Sequence, residues 1–531
     1  MSSIKISGKE LVAAFFHRET PNGSVWLCRC GKKCQQKGSG YTNLVSHITR
    51  SHHEDYLELH TKHVNGMKGV PKITDSFWPQ KTQKLHCWIS LIVDGLLPFS
   101  FCENEMAHKY MKHGSIARNT LMKYMGNLSE IVESKIAETL PLKFALVFDG
   151  WSSDDNTHYV ALFATFPDPT KEHRYLKVLL SMSPMGDGDN LTAQEHHAFI
   201  TDILGVYRKT WANVVCLIGD NCSTNKATAT AASLPLVGCA SHRFNLAVKD
   251  ILKDYADLIT CVYRLMKKLK NIIPAAKLRK LTPLHAKCSN ATQWSSTYEM
   301  LVRYKQLKEF LPKLGSVEVE DMMPNHSQKL TIDLLMSILT DLQSVTKALQ
   351  AENRTVLEVR DLFDEVIKTY PQTKNWLGEN ASIIHDNVFE SAVQKILKGS
   401  EEELTPDESV KVTGLRHGSS TMEEETRTGE ERDADAGLSL AEKALKRRRL
   451  VSTTTSKSAF MDLHFIVPTS NMCERLFSEA GYGLNSRRMR TLPSNFETQM
   501  FLRTNKTFWG LADINHIVTQ EKDDENNDTS S

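Results

Sequence analysis

Three carboxylates occupy positions at which an α/β domain could hold divalent cations. Asp149 directly follows one short apolar run and Asp220 follows another, whereas Glu474 lies in a segment with the pattern of a helix start. An acid at the carboxyl end of a core strand lies where open α/β sheets expose their sites. Two Mg²⁺ ions about 4 Å apart can activate an attacking oxygen and stabilise the leaving one. Each acid alone is explained more simply as a helix cap or turn residue, so the set of three is what indicates phosphoryl transfer.

A second candidate site lies near the amino terminus, where thiols and imidazoles are crowded together. Two thiols, a spacer and two imidazoles on a helix fit a tetrahedral zinc site, and the donors would be Cys28, Cys30, His47 and either His52 or His53. Cys34 could replace one of the two thiols. The alternative is a cysteine-rich loop with surface histidines, but a segment this short has too little core to fold without a cross-link. We therefore expect a structural Zn²⁺ ion in residues 1–60.

The acids need a sheet to hold them, and the residues around the two aspartates have the pattern of one. Four β-like apolar runs occur between residues 144 and 218, with a helical stretch before the last of them. Strands in this order, followed by a helix and a further strand, are typical of an α/β sheet. The fold class is therefore α/β, and residues 141–222 are the first part of the sheet domain.

The other segments are assigned from periodicity and charge. Residues 75–140 are predicted to be a helical linker, DNA-binding or dimerisation region, and 223–400 a helical insertion. Residues 401–445 are predicted to be a disordered linker, because their first thirty-five residues hold twelve acidic residues against four Lys or Arg. Residues 446–517 are expected to complete the sheet domain, and 518–531 to be a disordered tail.

Bulk composition limits the function only loosely. With 531 residues, the chain is expected to hold roughly three or four domains. The net charge of +2 gives no global attraction to nucleic acid, so any DNA affinity must come from local basic patches. The longest apolar run is too short to span a bilayer, so no membrane partner is expected. Eleven cysteines without a secretory signal indicate a reducing compartment.

Several short motifs occur in the order of one known family. They are DGWSS at 149–153, IGDN at 218–221, CASH at 239–242, QWSS at 293–296 and SNMCERLFS at 470–478. Together they resemble the hAT transposases, whose catalytic triad is Asp-Asp-Glu. The cysteine–histidine segment, in which Asn43 and Leu44 precede His47, resembles the BED zinc finger with which this family often begins. The matches are in family order from residue 26 to 509, and one departure is Gln293, which stands where the family usually has arginine.

The resemblance implies a ribonuclease H-like catalytic domain interrupted by a large all-helical insertion, which separates Glu474 from Asp149 and Asp220. It also implies that the chain cleaves and joins DNA at transposon ends, with Mg²⁺ or Mn²⁺ held by this triad. The partners would be double-stranded transposon ends and target DNA in the nucleus, and the carboxyl-terminal region would support a homodimer or larger homo-oligomer.

Further DNA contacts are expected from His242 beside the acids and from Trp294, which could stack on an extruded base but could equally be a core residue. Basic clusters would add phosphate contacts through Lys446, Arg447, Arg448, Arg449, Arg487 and Arg488. The alternative function is that of a domesticated, catalytically silent relative: a BED zinc-finger DNA-binding protein or transcription regulator.

Overall fold

The structure is a computed structural model. It describes residues 12, 15–18, 24–28, 30–36, 41–52, 78–110, 114–153, 156–185, 192–290, 293–417, 439–449, 458–484 and 492–528. The chain divides into two compact units. The first comprises 1–92, 99–128 and 509–531, and the second 93–98 and 129–508.

The elements of the described residues are as follows. The strands are β1 (Phe16–Arg18), β2 (Val25–Cys28), β3 (Lys33–Gln35), β4 (Phe144–Ser152), β5 (His158–Pro167), β6 (Tyr175–Pro184), β7 (Val214–Gly219) and β8 (Leu236–Gly238). The helices are α1 (Thr42–Ser51), α2 (Gln80–Asp94), α3 (Glu105–Tyr110), α4 (Arg118–Thr139), α5 (Ala193–Val206), α6 (Ser223–Ala231), α7 (Ala240–Lys253), α8 (Ala256–Leu269), α9 (Ile272–Arg279), α10 (Trp294–Leu307), α11 (Val317–Asp321), α12 (His326–Gln350), α13 (Val356–Thr369), α14 (Lys374–Leu377), α15 (Asn387–Lys398), α16 (Pro406–Lys411), α17 (Leu440–Arg449), α18 (Asn471–Gly483), α19 (Pro493–Thr504) and α20 (Leu511–Asp528).

The first unit contains a small antiparallel sheet, in the order β1-β2-β3, followed by α1. Leu44 and Ile48 of α1 pack with Phe16 in a core of few side chains. The unit also contains α20, which differs from the disordered tail predicted at 518–531 because helix continues to Asp528. Glu521 anchors this helix, because its carboxylate accepts hydrogen bonds from Tyr124, Lys123 and Lys81. Although burial would raise the pKa of Glu521, these hydrogen bonds hold it at about 2.

The second unit contains a mixed five-stranded sheet in the order β6-β5-β4-β7-β8. β5 is antiparallel to both of its neighbours, β4 and β6, whereas β4, β7 and β8 are parallel to one another. Residues 144–148 of the central strand β4 are all buried, as expected for a strand that is covered on both faces. The protein is therefore α/β, as predicted. The fifth strand, β8, lies beyond the predicted boundary at residue 222.

Helices fill the region between β8 and the second part of the sheet domain. The helices from α7 to α13, together with α17, share one hydrophobic core, whereas α15 and α18 belong to the core of the sheet. None of the helices in the described part of the chain has the length and apolar character that crossing a bilayer requires.

The acidic segment differs from its prediction. Residues Glu401–Glu403 and α16 are helical, and Val412 and Leu415 are buried in the core of the sheet. Composition misleads here because the acids have local partners: Glu408 caps α16 through Thr405 and forms a 2.7 Å ion pair with Lys395. The segment predicted as a linker therefore begins with folded structure, residues 418–438 lie outside the described residues, and α17 packs against α12 and α13.

Candidate carboxylate site and candidate metal centre

β4 and β7 place Asp149 and Asp220 side by side. The parallel register pairs Val147 with Ile218. Each aspartate lies two residues beyond its paired residue, so the two acids occupy equivalent positions on neighbouring strands, although β4 continues past Asp149 to Ser152 whereas β7 ends just before Asp220. Both side chains are half-buried. The local sequence accounts for this position, because each strand is apolar up to the acid and its core side chains fix the register.

Glu474 reaches the same end of β4 from the first turn of α18. The thiol of Cys473 is buried and lies 4.0 Å from the carbonyl oxygen of Val147, two residues before Asp149. The ring of Phe477 stacks on Trp151, with centroids 6.0 Å apart and planes at 17°. These contacts hold α18 over the end of the strand, so the structure brings together all three acids predicted from the sequence.

The three carboxylates affect one another electrostatically. Burial, then the charge of Asp220 and more weakly that of Glu474, together raise the pKa of Asp149 to about 7, against a hydrogen bond from the Gly150 amide. Burial and the charge of Asp220 also raise the pKa of Glu474. Within the described part of the chain, the three acids nevertheless do not form a group in which all ligand atoms lie within 4.8 Å of one another. The arrangement concentrates negative charge that a divalent cation would neutralise.

His242 lies beside the acids, as the sequence predicts. Its Nδ1 atom is 2.8 Å from Oδ2 of Asp220, and this hydrogen bond raises the pKa of the imidazole, although burial opposes the rise. The histidine is in the first turn of α7. That turn is tied to the segment before α18, because the Ala240 amide donates to the carbonyl of Pro468 at 2.9 Å.

Cys239, three residues before His242, is held in the protein core. Cys239 is buried, and its sulfur accepts a 3.4 Å hydrogen bond from the amide of Ser470. Burial raises the pKa of this thiol to about 12. Cys239 is therefore a structural residue.

Asn221, the last residue of the IGDN motif, has an environment that the motif alone does not predict. It is buried directly after Asp220, and neither its amide nitrogen nor its amide oxygen has a hydrogen-bond partner. The side chain occupies the space beside Gly238, where an added Cβ would meet its oxygen at 1.9 Å. Buried polar groups are nearly always satisfied, so an orphaned amide next to the acids is the kind of group that a bound ligand would satisfy.

The other residues predicted to contact DNA are not seen to join the carboxylate site in the described part of the chain. Trp294 is only 4% exposed and packs against Phe244, so in this structure it is a core residue. Residues 446–449 lie in the last part of α17, and only their backbone is described, whereas Arg487 and Arg488 lie outside the described residues.

The amino-terminal donors form a compact group. The ligand atoms of Cys28, Cys30, His47 and His52 all lie within 4.8 Å of one another, so they could hold a metal ion. The sulfur of Cys28 is 3.1 Å from Nε2 of His52, and that of Cys30 is 3.4 Å from Nε2 of His47. Two thiols and two imidazoles are compatible with tetrahedral Zn²⁺. Cys34 is not in the group, and His53 lies outside the described residues.

The turn between β2 and β3 presents the two thiols. The Gly31 amide donates to the Cys28 carbonyl at 2.8 Å, and Gly31 has φ of +83°, a conformation that favours glycine. A backbone hydrogen bond from Lys32 lowers the pKa of Cys30, which favours the thiolate, the form that binds metal. Burial lowers the pKa of His47, which favours the neutral imidazole. These two shifts favour the ligand forms that a metal requires, whereas burial raises the pKa of Cys28 and favours its neutral thiol.

A comparison of the chain with models of known protein families finds no match, and a comparison with curated proteins finds none either. A functional assignment therefore depends on the residues and their geometry.

Proposed function

We propose that the chain is a DNA transposase that cleaves and joins DNA by phosphoryl transfer, with Asp149, Asp220 and Glu474 as its metal-binding acids. The observation that carries the proposal is the meeting of these three carboxylates, separated by up to 325 residues in the chain, at one end of one sheet. Two neighbouring parallel strands and one helix supply them. A structural role for all three would leave unexplained why the fold brings Asp149 and Glu474 to Asp220, whose charge adds to the burial that raises the pKa of both.

The topology supports a ribonuclease H-like fold for this domain. In chain order the sheet is 3-2-1-4-5, and only the second strand is antiparallel to the others. The first and fourth strands, β4 and β7, carry the two aspartates. The long helical region between β8 and α18 corresponds to the insertion expected for a hAT transposase.

The residues present fit a divalent cation. Mg²⁺ and Mn²⁺ prefer oxygen ligands, and Asp149, Asp220 and Glu474 supply carboxylates while the orphaned Asn221 amide supplies a further oxygen. When bound, such ions polarise phosphoryl oxygens and lower the pKa of water. His242 orients Asp220 through its 2.8 Å hydrogen bond. It also adds positive charge near the position that a DNA phosphate would take.

The amino-terminal group supports a DNA-binding role for the first unit. A Zn²⁺ ion held by Cys28, Cys30, His47 and His52 would make residues 1–60 a BED-type zinc finger, with double-stranded DNA as the partner. A nuclear location and a homodimer or larger homo-oligomer belong to the same proposal. Their support is the motif resemblance alone.

The test is a cleavage assay of the full chain on labelled duplex DNA that carries the inverted repeats flanking its gene, with Mn²⁺ or Mg²⁺. We expect strand cleavage by the wild type and a loss of at least a thousandfold in Asp149→Asn and Glu474→Gln. Glu479→Gln is the matched control, because Glu479 is an exposed acid on the same helix that pairs with Arg503.

Activity retained in Asp149→Asn or Glu474→Gln would refute the assigned site. A wild type that binds these ends without cleaving them would refute the enzyme and favour the silent DNA-binding relative. The Gln293 departure is the sequence feature that favours that second function.

A further inference from the structure

A second cluster of metal-binding side chains lies at the other end of the sheet. His173 is in the turn between β5 and β6, whereas Asp462 and His464 belong to the segment that leads into α18. β5 is antiparallel to β4: Ala161 pairs with Asp149, and Thr165 pairs with Ala145 near the start of β4. The turn after β5 is therefore remote from the three acids, and the cluster is separate from the carboxylate site.

The three side chains converge from both segments. Their ligand atoms all lie within 4.8 Å of one another. Oδ1 of Asp462 is 2.5 Å from Nδ1 of His464, and Oδ2 of Asp462 is 4.0 Å from Nδ1 of His173. The two imidazole rings are 4.8 Å apart at 49°. Donor atoms that converge in this way could hold one metal ion after a small shift of the Asp462 carboxylate away from His464.

An ordinary ion pair explains only half of the cluster. Asp462 caps the short turn Leu463–Phe465 by accepting the His464 amide at 3.0 Å, which accounts for Asp462 and His464 together. His173 lies on the other segment, and its backbone amide donates to Oδ2 of Asp462 at 2.8 Å. Its side chain is 73% exposed and yet is directed towards the other two donors.

We propose that His173, Asp462 and His464 bind a Zn²⁺ ion or a similar transition-metal ion. Two imidazoles and one carboxylate are donors that suit Zn²⁺, whereas Mg²⁺ and Ca²⁺ prefer oxygen ligands alone. Three protein ligands leave a fourth position, which the exposure of His173 opens to water. This site is independent of the proposed transposase activity and of the amino-terminal group.

The ion would join two segments that lie 289 residues apart in the chain. Phe465 is already bound to the sheet, because its carbonyl accepts a 2.8 Å hydrogen bond from the hydroxyl of Thr165. A metal link at His464 would add to this attachment ten residues before Glu474. It would stabilise the docking of the second part of the sheet domain onto the first, at the end remote from the acids.

The experiment measures the zinc content of the full chain after dialysis against micromolar Zn²⁺. We expect two zinc ions per chain in the wild type. Each of the single variants His173→Ala, His464→Ala and Cys28→Ser should retain one ion. The double variant Cys28→Ser/His464→Ala should retain none. His326→Ala, which changes an exposed histidine, should retain two. His173→Ala guards against misfolding, because the side chain that it removes is mostly exposed.

Cobalt distinguishes the two sites by spectroscopy. Co²⁺ bound to Cys28 and Cys30 gives a thiolate charge-transfer band, whereas Co²⁺ at His173, Asp462 and His464 gives none. We expect His464→Ala to lose one equivalent of Co²⁺ while this band is unchanged. A single ion in the wild type that Cys28→Ser loses, or two ions in each of His173→Ala and His464→Ala, would overturn the proposal and leave Asp462 and His464 as an ion pair.

Discussion

The two proposed functional regions of the molecule are built in opposite ways. The amino-terminal donors lie on β2, the following turn, α1 and the residue directly after α1, and the described residues around them form a core of few side chains. The acids come from residues 149, 220 and 474 and lie on a sheet with a large core of its own. The donors of the first region are close together in the sequence and rest on a small core, whereas the acids of the second are far apart in the sequence and rest on a large core.

This difference teaches what a metal would do in each region. In the amino-terminal group the small core contributes little stability, so the binding energy of the ion would be folding energy. At the carboxylate site the core positions the acids without help, and burial, followed by the charge of Asp220, raises the pKa of Asp149 and of Glu474. A bound metal ion is thus expected to stabilise the amino-terminal region, whereas the negative charge of the carboxylates is expected to destabilise the sheet domain.

The largest effect is expected from removing a zinc ligand. Structural zinc contributes about 10–16 kcal/mol in small zinc domains, more than a core of this size supplies. Cys28→Ser should therefore unfold the region around β1–β3 and α1, seen as loss of bound zinc and rapid proteolysis before residue 60. Cys34→Ser is the control, because Cys34 lies outside the donor group. Retention of this zinc ion in Cys28→Ser would contradict the assignment.

Removing a charged ligand from the carboxylate site should have the opposite effect. The pKa of Asp149 is raised from 3.8 to about 7. Between these two pH values the folded state therefore holds a proton that the unfolded state has lost. Stability from this group is full below pH 3.8 and is lost as the pH rises through about 7. At pH 8, without Mg²⁺ or Mn²⁺, Asp149→Asn should raise the free energy of unfolding by up to about 4 kcal/mol.

Urea unfolding at pH 5 and pH 8 checks this sign. The difference between Asp149→Asn and wild type should grow with pH, and Glu479→Gln should show no such growth, because Glu479 is exposed. An Asp149→Asn variant less stable than wild type at pH 8 would mean that the carboxylate is a structural hydrogen-bond partner.

The same contrast explains how much could be predicted from the sequence. The α/β class and the first strands are predictable because β4 begins with a continuous apolar run that leads to Asp149, and β7 is an apolar run directly followed by Asp220. β8 is only three residues long, so its local pattern is too short to recognise. The fold of 401–417 was missed because composition does not show that Glu408 has Lys395 and Thr405 as partners.

Sequence spacing is a better guide to the amino-terminal donor group, whose residues are close in the chain, than to the carboxylate site, whose residues are far apart. Helical spacing brings His47 and His52 to the thiols, and only the structure distinguishes Cys30 from Cys34. Glu474 could be proposed only from its motif, because no local pattern shows which strand α18 will cover. The cluster of His173 with Asp462 and His464 has no sequence signal, since tertiary contact alone joins its two segments.

A smaller effect is expected at the residue that orients an acid. His242 holds Asp220 at 2.8 Å, and loss of such an outer partner typically costs 10–100-fold in metal affinity or activity. We expect His242→Ala to lower DNA cleavage by roughly that factor. His242→Gln should recover part of it, since its amide can donate to Asp220. A merely structural role would predict a lower melting temperature with no recovery of activity, and His326→Ala is the surface control.

The smallest effect, and the one that sharpens the comparison most, is the response of stability to Mg²⁺. A ligand at about ten times its dissociation constant stabilises the folded state by about 1.4 kcal/mol. At the carboxylate site this gain should be present at pH 8 and shrink below about pH 7, because Mg²⁺ must then displace the proton held by Asp149. The amino-terminal thiols are poor ligands for Mg²⁺, so the effect should disappear in Asp149→Asn and persist in Cys28→Ser. An equal gain in Asp149→Asn would show that the ion binds elsewhere, and the acids would then be repelling charges without a metal to offset them.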